Sequence, residues 1–132
     1  SSVALQVAPI GLLPVGIDVE DKADQAARIL PRYATEEDLG VMVRFPEITP
    51  LRLWSAKEAV FKAFSRYVRD FRGDITLIEP GLFAVSRIGE VSVSYRSGSE
   101  LTALSESNHA YPDSLVLAFA TPPEAEVRLI IL

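Results

Sequence analysis

Apolar residues recur at helical spacing in one long segment near the middle of the chain. Thr49 is suited to cap the N-terminus of this segment, and the pattern predicts a helix over residues 50–68. The apolar face of the predicted helix consists of Leu53, Ala56, Val60, Ala63, Phe64 and Tyr67. Beside that face, Trp54, Glu58 and Lys62 are four residues apart and form one continuous stripe.

Shorter apolar runs lie on both sides of the long helix. A helix is predicted at residues 23–30, and Thr35 with Asp38 resembles a capping box that begins another one. Residues 96–99 resemble a hairpin turn. Strands are predicted at residues 3–7, 15–20, 75–78, 82–85, 91–95, 101–104, 114–120 and 127–132. This order of elements predicts an α+β fold in which helices pack on one face of a mainly antiparallel sheet.

Composition limits the chemistry that is open to this chain. We expect residues 1–132 to form a single domain, because this length with 48% apolar residues is enough for a real core. The absence of cysteine excludes thiolate metal sites, and the single histidine, His109, excludes histidine-rich zinc sites. Any metal must therefore have oxygen ligands. No apolar run is long enough to cross a bilayer, so we expect a soluble, cytoplasmic protein without a membrane partner.

Charge is distributed unevenly along the chain. The net charge of -5 argues against non-specific binding to nucleic acid. Between residues 51 and 72, however, bases exceed acids. The bases are Arg52, Lys57, Lys62, Arg66, Arg69 and Arg72, against Glu58 and Asp70. This excess suggests an anionic ligand or partner, although a solvated helix face is the simpler explanation.

The segment GIDVE at residues 16–20 alternates apolar and acidic residues with the period of a strand. We expect Ile17 and Val19 to face the core. Asp18 and Glu20 would then lie together on the opposite face, about 6–7 Å apart. The simpler explanation of this pattern is the solvated side of an edge strand. Two carboxylates at this spacing repel each other unless a cation or hydrogen-bond donors lie between them.

The stripe on the long helix also has a simple explanation, because Glu58 and Lys62 can form a helical ion pair worth about 0.2–0.5 kcal/mol. Considered with GIDVE, the carboxylates of Asp18, Glu20 and Glu58 form an open set of oxygen ligands. Mg²⁺ typically takes one or two carboxylates together with waters and phosphate oxygens. Lys62, one turn from Glu58, would face the same phosphates. The combination indicates chemistry on a pyrophosphate.

At these residues the sequence resembles the 4'-phosphopantetheinyl transferases. The resemblance depends on GIDVE at residues 16–20 and WSAKEAVFK at residues 54–62, with RYATEED at residues 32–38 similar to the segment between them. It covers most of the chain. It implies an enzyme that moves the phosphopantetheine arm of coenzyme A onto a serine of an acyl or peptidyl carrier protein, releasing adenosine 3',5'-bisphosphate.

The resemblance also implies a role for each candidate residue. Asp18, Glu20 and Glu58 would hold Mg²⁺ against the pyrophosphate of coenzyme A. Glu58, directly or through a water, would be the general base for the serine, and Lys62 would stabilise or protonate the leaving phosphate. Lys57 would add a second positive charge beside the coenzyme's phosphates, and a position in solvent is the alternative for it.

Within the family, the acid at Glu20 is typical of the surfactin-synthetase-activating type, whose members are longer and consist of two similar halves. The chain resembles one of those halves, and we expect an upstream half to be missing. Its length is typical of the holo-acyl-carrier-protein synthases, which form their active sites between subunits of an oligomer. A different interpretation is a non-catalytic domain of the same fold that serves as a docking or assembly element in a polyketide or fatty-acid synthase.

Overall fold

The computed structural model describes residues 15–104, 110–112 and 114–122. The strands are β1 (Gly16–Glu20), β2 (Ile75–Glu79), β3 (Leu82–Val85), β4 (Gly89–Ser97) and β5 (Val116–Thr121). The helices are α1 (Ala23–Arg28), α2 (Glu36–Arg44), α3 (Pro50–Phe64) and α4 (Gly98–Leu104), with a 3₁₀ turn at Leu30–Arg32 after α1. The predicted strands at residues 3–7 and 127–132, and His109, lie outside the described residues.

In the described part of the chain, the five strands form one antiparallel sheet in the order β1-β5-β4-β3-β2, with β1 and β2 at its edges. Helix α3 lies against β1, β5 and β4, while α1 packs on α3 and α2 packs on β2. The prediction of an α+β fold with helices packed on a mainly antiparallel sheet is confirmed. In the described part of the chain, no helix is both long enough and apolar enough to span a membrane.

Strand β5 carries apolar residues on both of its faces. Ala118 and Ala120 belong to the large cluster beneath α3. Leu117 and Phe119 point the other way and form a second cluster with Leu101 of α4. Because successive side chains of a strand point to opposite faces, one short strand contributes to both clusters.

The caps predicted for α2 and α3 are both confirmed. Thr35 Oγ1 accepts a hydrogen bond from the Asp38 backbone N–H at 3.2 Å, and Asp38 Oδ2 accepts one from the Thr35 N–H at 2.9 Å. Thr49 Oγ1 accepts from the N–H of Arg52 at 3.2 Å. These side chains satisfy N–H groups that have no partner inside the helix.

Helix α3 ends at Phe64, four residues before the predicted end at residue 68. The segment that follows is held in turns by side chains of the sheet region. Asp74 accepts from the N–H groups of Arg69 and Asp70 at 2.8 and 3.0 Å, and Arg87 donates to the carbonyl of Tyr67 at 2.7 Å. These bonds take the place of the next helical turn.

The predictions of a hairpin turn at residues 96–99 and of a strand at 101–104 are wrong. Strand β4 continues to Ser97, and α4 begins at Gly98. The missed signal is a second capping box. Ser97 Oγ accepts from the Glu100 N–H, and Glu100 Oε1 accepts from the Ser97 N–H, both at 3.2 Å.

The predicted alternation along β1 is confirmed, but the larger cluster of the core lies on the side of Asp18 and not on the side of Ile17 and Val19. Ile17 and Val19 pack against the second cluster. A solvated edge was the simpler explanation for the face that carries Gly16 and Asp18, but this face lies under α3, and Asp18 is 4% exposed. Helix α3 therefore lies on the acidic side of β1, where Asp18 is buried and Glu20 is partly buried.

Gly16 allows β1 to lie directly on the backbone of α3. A Cβ atom at this position would overlap the carbonyl oxygen of Ala59 and would lie 2.7 Å from the backbone N of Ala63. Both are backbone atoms of the helix, so no flexible side chain can move aside to relieve the overlap.

We therefore expect Gly16→Ala to destabilise the fold by about 1–3 kcal/mol, the range for overpacking a core contact. The matched control is Gly40→Ala in α2, where an added Cβ meets nothing within 4 Å. Because glycine is a poor helix former, this control should be neutral or should stabilise by up to about 1 kcal/mol. Urea unfolding of both variants measures the difference, and equal stabilities would contradict the proposed contact.

Candidate active site

Asp18 is at the centre of a polar cluster between β1 and α3. Its Oδ1 accepts a hydrogen bond from Lys62 Nζ at 2.7 Å, and its Oδ2 accepts one from Ser55 Oγ at 3.1 Å. Asp18 is buried and Ser55 is fully buried, whereas half of the Lys62 side chain is exposed. Ser55 and Lys62 are seven residues apart on α3, so they lie on one line along the helix and hold both carboxylate oxygens.

Ser55 was not predicted from the sequence as a site residue. The available signal was its position in the motif, one turn before Glu58 and next to the stripe of Trp54, Glu58 and Lys62. Serine is common in helices without such a role, so spacing alone did not distinguish it. Its bond to Asp18 becomes visible only when β1 and α3 are placed together.

Glu20 lies beside Asp18 at the end of β1 and is partly buried. Partial burial raises the pKa of Glu20, and the negative charge and hydrogen bond of Asp18 raise it further, while a hydrogen bond with Trp54 lowers it. The only tryptophan of the chain is therefore in contact with this acid. Trp54 also packs edge-on against Tyr33 and Phe71, with ring centroids 4.9 and 5.6 Å apart.

Glu58 completes the group of carboxylates. Burial raises its pKa, the charge of Asp18 raises it further, and the charge of Lys62 lowers it. Lys62 forms its ion pair with Asp18 of the neighbouring strand, so the isolated helical pair expected as the simpler explanation does not describe it. The structure thus brings Asp18, Glu20, Glu58 and Lys62 into one cluster.

Lys57 lies outside this cluster, which corrects both alternatives expected for it. Its Nζ donates to Asp38 Oδ2 at 2.7 Å and to the carbonyl of Arg72 at 2.9 Å. The side chains of Lys57 and Asp38 are both 0% exposed. Burial lowers the pKa of Lys57, and its bond with Asp38 opposes that shift. Neither solvent nor a coenzyme phosphate contacts a side chain in this position.

The donor chemistry of the cluster fits a hard cation. Carboxylate oxygens are the ligands that Mg²⁺ prefers, and the pKa values of Glu20 and Glu58 are raised first by burial and then by the negative charge of Asp18, which a bound cation would offset. Within residues 15–104, 110–112 and 114–122, no three acidic or histidine side chains already surround a common point as metal ligands. Asp18, Glu20 and Glu58 could hold the ion only after a rearrangement of side chains.

A cleft of about 220 Å³ opens next to Glu20, between β1, α1 and α3. Its lining is formed by Glu20, Lys22, Gln25, Ala26, Ile29 and Trp54. Clefts that enclose drug-sized ligands usually measure about 300–1,000 Å³. The described residues therefore form a small cleft that reaches Glu20, one of the three carboxylates.

A model of the 4'-phosphopantetheinyl transferase superfamily matches residues 14–120. The chain belongs to this superfamily. No curated protein and no solved structure matches this chain. The matched range contains β1 and α3, and with them every residue of the polar cluster. Phosphopantetheinyl transferases move the phosphopantetheine arm of coenzyme A to carrier proteins, and this chain has the domain of that family.

The raised pKa of Glu58 makes the stability of this transferase domain depend on pH. A carboxyl group with a higher pKa in the folded state binds more protons when folded, so stability falls as pH rises above the ordinary value of 4.5. Glu58→Gln removes this titration. We expect the stability of the variant relative to the parent chain to increase between about pH 4.5 and pH 7.

Urea unfolding over this pH range, in buffer with a chelator, measures that difference. Glu90→Gln is the matched control, because Glu90 is an exposed acid on β4. The expected effect is the increase that Glu58→Gln shows beyond this control. The same pH dependence in both variants would show that Glu58 is not strained by its neighbours.

Proposed function

We propose that this chain transfers the 4'-phosphopantetheine arm of coenzyme A to a serine of an acyl or peptidyl carrier protein, in a reaction that requires Mg²⁺. The observation that supports the proposal is the cluster of Asp18, Glu20, Glu58 and Lys62 in a member of the transferase superfamily. Such carriers serve fatty-acid and polyketide synthesis, and we assign the protein to the cytoplasm.

In the proposed reaction, the serine oxygen attacks the phosphorus that carries the pantetheine arm. A new P–O bond forms to the serine, the bond to the bridging oxygen breaks, and adenosine 3',5'-bisphosphate leaves. Asp18, Glu20 and Glu58 would hold the Mg²⁺ ion. The ion would supply positive charge to offset the charge of the pyrophosphate.

Glu58 is the proposed general base, which accepts the proton of the serine hydroxyl directly or through a water. Its raised pKa supports this role, because a base is most effective when its pKa approaches the working pH. Lys62 is the proposed group that stabilises or protonates the leaving phosphate. The Lys62 side chain is half exposed and flexible, so its ammonium can move from Asp18 to a phosphate that enters from solvent.

We further propose that the chain acts as one half of a surfactin-synthetase-activating type of transferase, in which Glu20 is the additional acid. The cleft of about 220 Å³ supports this, because it is small for a ligand of the size of coenzyme A. The remainder of the pocket would come from a companion half or from a second copy.

The small cleft equally favours the second candidate function, a non-catalytic docking or assembly domain in a polyketide or fatty-acid synthase. In that function the bond between Lys62 and Asp18 would be permanent and would simply neutralise a buried acid. The two candidates differ in whether coenzyme A and Mg²⁺ bind, so one experiment on binding and transfer separates them.

We expect incubation with coenzyme A, Mg²⁺ and an apo carrier protein to add one phosphopantetheine arm to the carrier, measured by mass spectrometry. Glu58→Gln should slow this transfer by about 10²–10⁴-fold, the usual contribution of a general base. Glu90→Gln is again the control and should retain the parent rate. An unmodified carrier, with acyl and peptidyl carriers both tested, together with no calorimetric binding of coenzyme A and Mg²⁺, would favour the docking domain.

The ion pair between Lys62 and Asp18 leads to a separate expectation for the metal alone. Because the ammonium occupies an oxygen of the proposed metal ligand, Lys62→Met should bind Mg²⁺ about tenfold more tightly than the parent, although it should lose transfer activity. Calorimetric titration with Mg²⁺ in the absence of coenzyme A measures this. Lys22→Met is the control for a general change of charge, since Lys22 lines the cleft. An equal gain in both variants would refute direct competition at Asp18.

A further inference from the structure

The ion pair of Asp38 and Lys57 is the most buried polar contact that the proposed chemistry leaves without a role. Asp38 accepts three hydrogen bonds, from the N–H of Thr35, from the N–H of Leu77 at 2.8 Å and from Lys57. Lys57 adds a bond to the carbonyl of Arg72. The pair therefore connects α2, α3, β2 and the segment after α3 through directional bonds.

Lys57 leaves α3 on the side away from Asp18. At 100° per residue, Ser55 and Lys62 lie within about 20° of each other, and Lys57 lies about 140–160° from both. The helix is thus held by hydrogen bonds on two nearly opposite sides. One side is the bond of Ser55 and Lys62 to Asp18, and the other is the bond of Lys57 to Asp38.

This arrangement fixes the rotation of α3 about its own axis. A rotation of about 20° would move an atom 6 Å from the axis by about 2 Å, more than a hydrogen bond tolerates. Apolar packing is not directional and resists such a rotation less strictly. Buried ion pairs are weak contributors to stability compared with apolar residues of the same size, so stability does not by itself account for this one.

We propose that Asp38 and Lys57 are positioning residues that set the rotation of α3, so that Ser55, Glu58 and Lys62 face Asp18 in the geometry needed for transfer. The inference rests on the proposed function for its effect on rate. It gives Lys57 of the WSAKE segment a role without any contact with coenzyme A. A displacement of about 1 Å at reacting groups can slow a reaction by about 10²-fold, so a small rotation of α3 is enough to lower the rate of transfer.

The test compares variants of the full chain. Lys57→Met combined with Asp38→Asn removes both charges and leaves no unpaired buried ion, whereas Lys57→Arg keeps the charge with a different shape. Val60→Ala is the structural control, because Val60 is a fully buried apolar residue of the same helix. For each variant we would measure the unfolding midpoint, the transfer kcat per folded molecule at saturating coenzyme A and Mg²⁺, and the near-ultraviolet circular dichroism of Trp54, the only tryptophan.

We expect the double variant to lose about tenfold or more in kcat and to change the Trp54 signal. Lys57→Arg should recover part of the kcat and part of the Trp54 signal. Val60→Ala should lower the unfolding midpoint while its kcat per folded molecule and its Trp54 signal stay close to the parent values. A double variant that behaves like Val60→Ala would overturn the proposal.

The Trp54 signal keeps this test independent of the proposed function. If the parent chain transfers no phosphopantetheine, the proposed function fails, and the orientation of α3 is still measured without any ligand. An unchanged Trp54 signal in a folded double variant would then overturn the positioning role. If the double variant does not fold, Lys57→Arg takes its place in the test. A kcat and a Trp54 signal equal to those of the parent in Lys57→Arg would then overturn the positioning role.

Discussion

Strand β1 lies directly on the backbone of α3 at Gly16, and all groups of the candidate site come from these two elements. The strand contributes Asp18 and Glu20, and the helix contributes the remaining side chains. Without a Cβ at Gly16, strand and helix approach closely enough for hydrogen bonds of 2.7 and 3.1 Å to Asp18. A larger separation would let water enter and would leave the carboxylates as ordinary surface acids. The chemistry of the site therefore depends on this backbone contact.

The close approach also has an electrostatic cost. It gathers three carboxylates with a single ammonium, and burial and mutual repulsion raise the pKa values of Glu20 and Glu58. Such shifted values are common where a protein has arranged charges for binding or catalysis, although structural ion pairs produce them as well. Helix α3 contributes a lysine to two ion pairs that differ in exposure. The pair of Lys57 with Asp38 is closed and fully buried, while the pair of Lys62 with Asp18 is open to solvent on the lysine side.

Local signals in the sequence were enough to predict most of the fold and a large part of the cluster. The caps at Thr49 and Asp38 depend on residues only three positions apart, so they can be read without knowledge of distant contacts. The motifs likewise identified the carboxylates by spacing. The side of β1 on which α3 packs, the bond of Ser55 to Asp18 and the burial of Lys57 all depend on contacts between elements that are far apart in sequence. Residue type favoured a solvated position for a lysine, and a tertiary partner reversed that preference.

The contact between Asp38 and the N–H of Leu77 has a consequence at the far edge of the sheet. Edge strands carry backbone N–H and C=O groups to which a strand of another molecule can add, and this is a common start of aggregation. Among the strands of the described residues, β2 is such an edge, with α2 packed beside it. Because a carboxylate of α2 already occupies the Leu77 N–H, an incoming strand would have to displace a buried charge before it could pair there. The same acid that caps a helix thus helps to keep the protein from joining its sheet to that of a neighbour.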